Sequence, residues 1–104
     1  MPLTRSFKSL VAARMEREPS FKQALLAQAM TVLMDGDIDT GKSLLRDYIN
    51  ATVGFEALAA ATGTPSKSLM RMFGRSGNPT AKNLFAVIAR LQQDLGVTLE
   101  VRAA

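Results

Sequence analysis

The sequence of 104 residues contains neither cysteine nor histidine. The absence of cysteine excludes disulfides, thiolate nucleophiles and zinc–thiolate sites. The absence of histidine removes the commonest general base and the commonest metal ligand. Acidic residues do not compensate, because no pair of them stands at a spacing that would assemble a catalytic metal site. The sequence therefore predicts a protein that is not an enzyme and binds no cofactor.

One acidic stretch, DGDIDTG at 35–41, has carboxylates at alternate positions, as calcium-binding loops do. An EF-hand loop beginning at Asp35 would need a glycine at position 40 and a bidentate glutamate at position 46. The chain has Thr40 and Arg46 at these positions. The stretch is therefore interpreted as a turn followed by a helix cap.

The chain also lacks a long apolar run. The longest such stretch, ALLAQAMTVLM at 24–34, is too short to span a bilayer and is interrupted by Gln28 and Thr31. The N-terminal stretch MPLTRSFKSLV lacks the apolar core of a signal peptide. A hydrophobic content of 47% argues against disorder. These features predict one soluble, cytoplasmic domain with no membrane partner.

Acidic residues are missing from one long segment. Residues 57–93 contain five Lys or Arg and no Asp or Glu, whereas the whole chain has 13 basic and 9 acidic residues. The remaining 8 basic residues (13 minus 5) therefore share the rest of the chain with all 9 acids. A net charge of +4 and a pI near 10.0 indicate a polyanionic partner.

Apolar residues recur every three to four positions through most of the chain, which is typical of amphipathic helices. In the first half of the chain, the pattern predicts a helix over 6–16, a second that begins at the capping box SFKQ (20–23), and a third capped by Asp39 or Thr40. In the second half it predicts a helix over 55–61, one from Thr64-Pro65 to about residue 73, and a final one from Thr80 to Leu95. Turns are predicted at 35–37 and 74–79, and Gly63 and Gly96 are expected to end helices. VTLEVR at 97–102 alternates apolar with polar residues, which predicts a short strand.

The helix at 55–61 and the helix that follows Thr64-Pro65 are short and are joined by a tight glycine turn, as in a helix-turn-helix. Ala59 is small where the two helices would cross, and Gly63 follows four residues later at the turn. The second helix has an inward stripe at i, i+3 and i+4, formed by Leu69, Met72 and Phe73.

The outer face of the second helix is then left to Ser66, Lys67, Met70 and Arg71. A helix that reads a DNA major groove needs this mixture, with a long cation for guanine or phosphate, hydroxyls, and an apolar group for a thymine methyl. A carboxylate beside the groove would face the phosphates, which explains why acids are absent from the segment. A basic face that is merely solvated is the other interpretation of such a charge pattern.

The sequence FEALAAATGTPSKSLMRMFGRSGNPTAKNLFAVIARL (55–91) resembles the Cro/C1-type helix-turn-helix family. More narrowly, residues 44–101 resemble the addiction-module antidote proteins, the antitoxins of bacterial toxin–antitoxin pairs. The most specific stretch of the resemblance is SLMRMFGRSGNPT. It implies an all-α, lambda-repressor-like fold of five or six helices with the short C-terminal strand, bound to double-stranded DNA.

The resemblance also implies roles for individual residues. Ser66, Lys67 and Arg71 would take base-edge positions, Ser68 would bind a phosphate or a base, and Arg75, Asn78 and Lys82 would clamp the DNA backbone. Two positions depart from the family pattern. Phe55 stands where many relatives have a glutamine that binds a phosphate, and Thr64 replaces the usual small aliphatic residue.

The expected protein is a transcriptional repressor, the antitoxin of a type II module that represses its own operon, with a small ribonuclease of the RelE type as its toxin. Within a single domain, we expect partner-binding helices over 1–38, a DNA-binding core over 39–96 and the strand and tail over 97–104. The strand would pair with that of a second copy in a homodimer. Two alternatives remain, a stand-alone regulator of the same fold and a helical protein-interaction module.

Overall fold

The computed structural model describes residues 5–104, except for the side chains of residues 5–8, 11 and 12. The start of the predicted partner-binding region, residues 1–4, lies outside the described residues. The described chain forms six helices, α1 (Arg5–Arg17), α2 (Pro19–Met34), α3 (Ile38–Ala51), α4 (Phe55–Thr62), α5 (Ser66–Met72) and α6 (Ala81–Leu95). The predicted all-α class and the predicted number of helices are confirmed.

Helix α6 begins and ends where the sequence predicts. The Thr80 hydroxyl accepts a hydrogen bond from the Asn83 backbone N–H at 3.2 Å, which is the expected N-cap. At the other end, Gly96 adopts the left-handed conformation with φ of 75°. A hydroxyl cap and a glycine terminator act locally, so both can be recognised from the sequence.

Three predicted helix starts were wrong. Ser20 does not cap α2, because that helix already begins at Pro19 and its N-cap residue, Glu18, makes no side-chain cap hydrogen bond. Helix α3 is capped by Asp37, whose carboxylate accepts from the Thr40 N–H at 3.2 Å, and not by Asp39 or Thr40. Thr64 does not cap α5, since Pro65 is itself the N-cap residue, with an extended ψ of 142°.

The core lies between the N-terminal helices and the α4–α6 unit. Helix α2 packs against α3, α1 packs against both, and α4 packs against α5 and α6. Burial, and to a lesser degree the Asp94 carboxylate, raises the pKa of Tyr48 above its usual value. The largest of the fully buried side chains are all apolar, among them Phe73, Met15, Leu26, Leu45 and Ile49.

Residues 97–104 form no strand within the part of the chain that the structure describes. The segment runs as irregular chain after α6, and the Leu99 N–H donates to the Gln92 side-chain oxygen at 2.8 Å. Leu99 packs against the core, whereas Val101 is exposed. Because a strand needs a partner for its backbone groups, the predicted pairing with a second copy stays a prediction.

No helix among residues 5–104 is both long enough and apolar enough to cross a membrane.

Candidate nucleic-acid interface

Helices α4 and α5 form a closely connected pair, separated by residues 63–65 alone. Gly63 adopts the left-handed conformation, with φ of 72°, and its N–H donates to the Ala59 carbonyl at 2.9 Å. The left-handed conformation is strained for a residue with a Cβ, so glycine allows the chain to turn at once. The prediction that Gly63 ends the first helix of the pair is confirmed.

One side of α5 is anchored in the core. Leu69 and Phe73 are each only 1% exposed, and Met72 is partly buried against them. The Phe73 ring packs against Phe55 at the start of α4, with ring centroids 6.3 Å apart and a tilt of 51°. Ala59 also packs against this cluster. The predicted inward stripe is therefore confirmed, and it sets the rotation of α5 about its own axis.

The opposite side of α5 faces outward. Lys67, Met70 and Arg71 are exposed, and they share one face of the helix at i, i+3 and i+4. Met70 is 46% exposed, and it places an apolar surface between the two cations. Ser66 and Ser68 are partly buried at the edges of this face. All five residues lie on α5, as the sequence predicts.

The loop that joins α5 to α6 brings further polar side chains beside this face. Arg75 and Asn78 lie in the loop and Lys82 lies in the first turn of α6, and all three are exposed. The loop turns tightly, because the Gly74 N–H donates to the Arg71 carbonyl and the Gly77 N–H donates to the Gly74 carbonyl, both at 3.1 Å. These side chains therefore follow directly from the C-terminal end of α5.

Gly77 lies against the end of α5 so closely that no side chain fits there. A Cβ at this position would lie 2.0 Å from the Arg71 carbonyl oxygen and 2.6 Å from that of Met72. Both atoms belong to the backbone and cannot swing aside as a flexible side chain would. The loop conformation therefore requires glycine at position 77.

Lys42 is part of this region although the sequence did not predict a role for it. Its side chain is buried, and its Nζ donates to the carbonyl oxygens of Gly74, at 3.1 Å, and Gly77, at 2.5 Å. The signal in the sequence is its position on α3, where it shares the buried face of Leu45 and Ile49 at i, i+3 and i+7. A lysine on an apolar stripe indicates a buried acceptor.

The exposed cations of this surface have no ion-pair partner within the described chain. None of the four, Lys67, Arg71, Arg75 and Lys82, forms an ion pair with a described residue. Arg90, the fifth basic residue of the acid-free segment, is different. It pairs with Asp94 at 3.2 Å and lies on α6 beyond the interface. Positive charge without internal partners favours an anionic ligand.

Carboxylates of the acidic stretch at 35–41 interact with residues of the same stretch and of α3. Asp37 caps α3, and Asp39 lies 3.8 Å from Lys42 Nζ. Among the described residues, no group of three or more acidic side chains is arranged to hold a metal ion.

No protein-family model, no curated protein and no solved structure matches this chain. Function is therefore inferred from the residues of α5 and of the loop that follows it.

Proposed function

We propose that the chain is a sequence-specific DNA-binding repressor with a Cro/C1-type helix-turn-helix, in which α4 supports α5 and α5 enters the major groove. The observation that carries the proposal is the outer face of α5. It combines two unpaired cations, Lys67 and Arg71, with the exposed Met70 between them, in a segment without carboxylates. Cations with no ion-pair partner and no neighbouring carboxylate suit a polyanionic ligand.

The chemistry of this face suits base readout. The Arg71 guanidinium can donate two parallel hydrogen bonds to O6 and N7 of guanine, and Lys67 can bind either guanine or phosphate. Met70 offers an apolar contact for a thymine methyl group. Arg75, Asn78 and Lys82 flank the helix and would hold phosphates, which fixes the register of α5 in the groove.

Two copies are required for a useful operator. The chain measures 35 Å along its longest axis and carries one α5, so a single copy reaches a single stretch of major groove. Homodimers of this kind read half-sites about one helical turn, roughly 34 Å, apart. We propose that residues 97–102 of two copies pair as antiparallel strands across the two-fold axis.

In the narrower form of the proposal, the chain is the antitoxin of a toxin–antitoxin module and represses its own operon in the cytoplasm. The toxin would be a small ribonuclease of the RelE type that binds the N-terminal helices, where Leu10 on α1 and Met34 at the end of α2 are exposed. Co-purification with the product of an adjacent gene distinguishes this form from a stand-alone regulator. If the protein does not bind DNA, the remaining alternative is a helical protein-interaction module.

Replacing Arg71 with alanine should weaken binding to the operator by roughly 1–3 kcal/mol and relax the preference at one base pair. Lys82→Ala should instead weaken binding to all sequences and lower the salt dependence by about one phosphate equivalent. Fluorescence anisotropy with DNA from upstream of the gene measures both effects. Arg17→Ala, which removes an exposed cation from α1, is the matched control.

Both variants should melt at the wild-type temperature, because neither side chain contributes to the core. Operator binding by Arg71→Ala that equals the wild type at moderate salt would show that α5 does not read the groove.

Truncation after Gly96 should shift the protein from dimer to monomer in sedimentation experiments, because it removes both copies of the pairing segment. Operator affinity should fall with it. Leu99→Ala is the control, since it loses the core contact of this segment and keeps the backbone that pairs. A truncated protein that stays dimeric would contradict the pairing. The dimer interface would then lie elsewhere, for example at exposed α6 residues such as Phe85.

A further inference from the structure

The side chain of Lys42 is the one charged side chain that is fully buried in the described part of the chain, with 3% of its surface exposed. Lysine is almost never buried to this extent unless its ammonium group has partners. Its Nζ carries three N–H donors, and two of them are used by the carbonyl oxygens of Gly74 and Gly77. The nearest carboxylate oxygen, that of Asp39, lies 3.8 Å from Nζ.

Asp39 is not the partner that explains this burial. Its side chain is 92% exposed, and an ion pair with an exposed carboxylate at this distance contributes little. The two carbonyl oxygens are closer and belong to a loop whose own hydrogen bonds are short-range ones to residues three positions away. Lys42 therefore connects this loop to α3, across 32 and 35 positions of sequence.

The connected loop carries two of the side chains assigned to phosphate contacts. Arg75 lies between the two glycines whose carbonyls Lys42 holds, and Asn78 follows the second of them. Helix α3 is itself fixed by its packing against α2 and α1. A loop held at both glycines has a fixed backbone at Arg75, and this lowers the backbone entropy that DNA binding would otherwise have to remove.

We propose that Lys42 is a positioning residue of the DNA interface, which acts from inside the protein by holding residues 74–77 so that Arg75 and Asn78 meet the phosphates. The effect of Lys42 on DNA binding rests on the proposed function. The part that concerns the loop can be tested without DNA.

The test of the loop is trypsin cleavage after Arg75, with the fragment 1–75 followed by mass spectrometry. Cleavage in a native loop requires local opening, so its rate reports how firmly the loop is held. In Lys42→Met, which keeps the length of the side chain and removes its donors, cleavage after Arg75 should accelerate about tenfold or more. Ile49→Val, a small loss of packing on the same helix, should leave the cleavage rate close to that of the wild type.

Chemical rescue covers the case in which Lys42→Met fails to fold. The natural chain has no cysteine, so Lys42→Cys carries a unique thiol that 2-bromoethylamine alkylates in the unfolded state, with loss of bromide. The product restores an ammonium group at nearly the length of lysine. After refolding, the alkylated protein should regain slow cleavage, and the unmodified Lys42→Cys protein should not.

The same proteins are then tested for binding to a mixed-sequence DNA duplex at several salt concentrations. Lys42→Met should bind about tenfold more weakly, with a salt dependence reduced by one to two phosphate equivalents, and alkylation of Lys42→Cys should restore both. Wild-type cleavage and affinity in Lys42→Met would overturn the proposal, and so would faster cleavage with unchanged DNA affinity. Wild-type protein that binds no duplex overturns the proposed function, whatever the cleavage result.

Discussion

Replacing Phe73 with alanine should lower the free energy of unfolding by about 3–5 kcal/mol. Phe73 is the largest of the fully buried side chains, and its ring packs on Phe55 across the α4–α5 pair. Truncation removes that contact and leaves a cavity that the short helices can only partly close, because Leu58 on α4 and Leu69 on α5 are themselves buried in the same core. For a domain of this size the melting temperature should fall by roughly 15–30 °C.

Thermal and urea unfolding followed by circular dichroism measure this loss. Phe85→Ala is the matched control, because it removes the same ring from a position on α6 that is 57% exposed. Its effect on unfolding should stay below about 1 kcal/mol. Equal effects of the two substitutions would mean that Phe73 does not anchor α5 in the core.

Gly77→Ala should destabilise the loop between α5 and α6 and cost about 3 kcal/mol, at the upper end of the usual range for overpacking. The added Cβ would collide with the carbonyl oxygens of Arg71 and Met72, which are the last backbone acceptors of α5. Either the loop lifts away or the end of α5 unwinds. In both cases the Lys42 hydrogen bond to the Gly77 carbonyl is lost, and we expect DNA binding to fall further than stability alone would explain.

Two neighbouring substitutions calibrate this result. Ser76→Ala changes an exposed side chain of the same loop and should be close to neutral. Gly74→Ala should also be tolerated, since its Cβ would lie 3.4 Å from the nearest backbone oxygen, which is an ordinary van der Waals contact. The rate of amide hydrogen exchange at position 77, whose N–H donates to the Gly74 carbonyl, reports how stable the loop is. Slow exchange at this position in Gly77→Ala would contradict the close packing described here.

The helical elements could be predicted from the sequence because their signals are local. The hydroxyl of Thr80 and the left-handed Gly63 and Gly96 act within one turn of their own positions. The inward stripe of α5 was predicted for the same reason, since i, i+3 and i+4 spacing fixes a face before any tertiary contact forms.

Helix starts were predicted less well where several capping residues compete within a few positions. Around residue 37, Asp37, Asp39 and Thr40 are all good caps, and the choice depends on which side chain reaches an open N–H. Asp37 reaches the N–H of Thr40. In α5, a proline with extended ψ served as the N-cap residue and left the Thr64 hydroxyl without that role.

The parts of the candidate site that were missed depend on contacts between distant residues. The pattern around Lys42 shows a lysine on an apolar stripe but does not show that its acceptors lie 32 and 35 positions away. Gly77 looks like one more glycine in a polar loop until the end of α5 is placed beside it. The strand predicted at 97–102 is not formed within the described chain, and its pairing with a second chain stays a prediction.

The most direct test of DNA binding through α5 is a map of amide chemical shifts. Isotope-labelled protein is titrated with duplex DNA from upstream of its own gene, with a mixed-sequence duplex as the reference. We expect the largest changes between residues 66 and 82, on α5, the following loop and the first turn of α6, and small changes on α1 and α2. No change with either duplex, or changes concentrated on α1 and α2, would contradict the assignment of α5 as the DNA-reading helix.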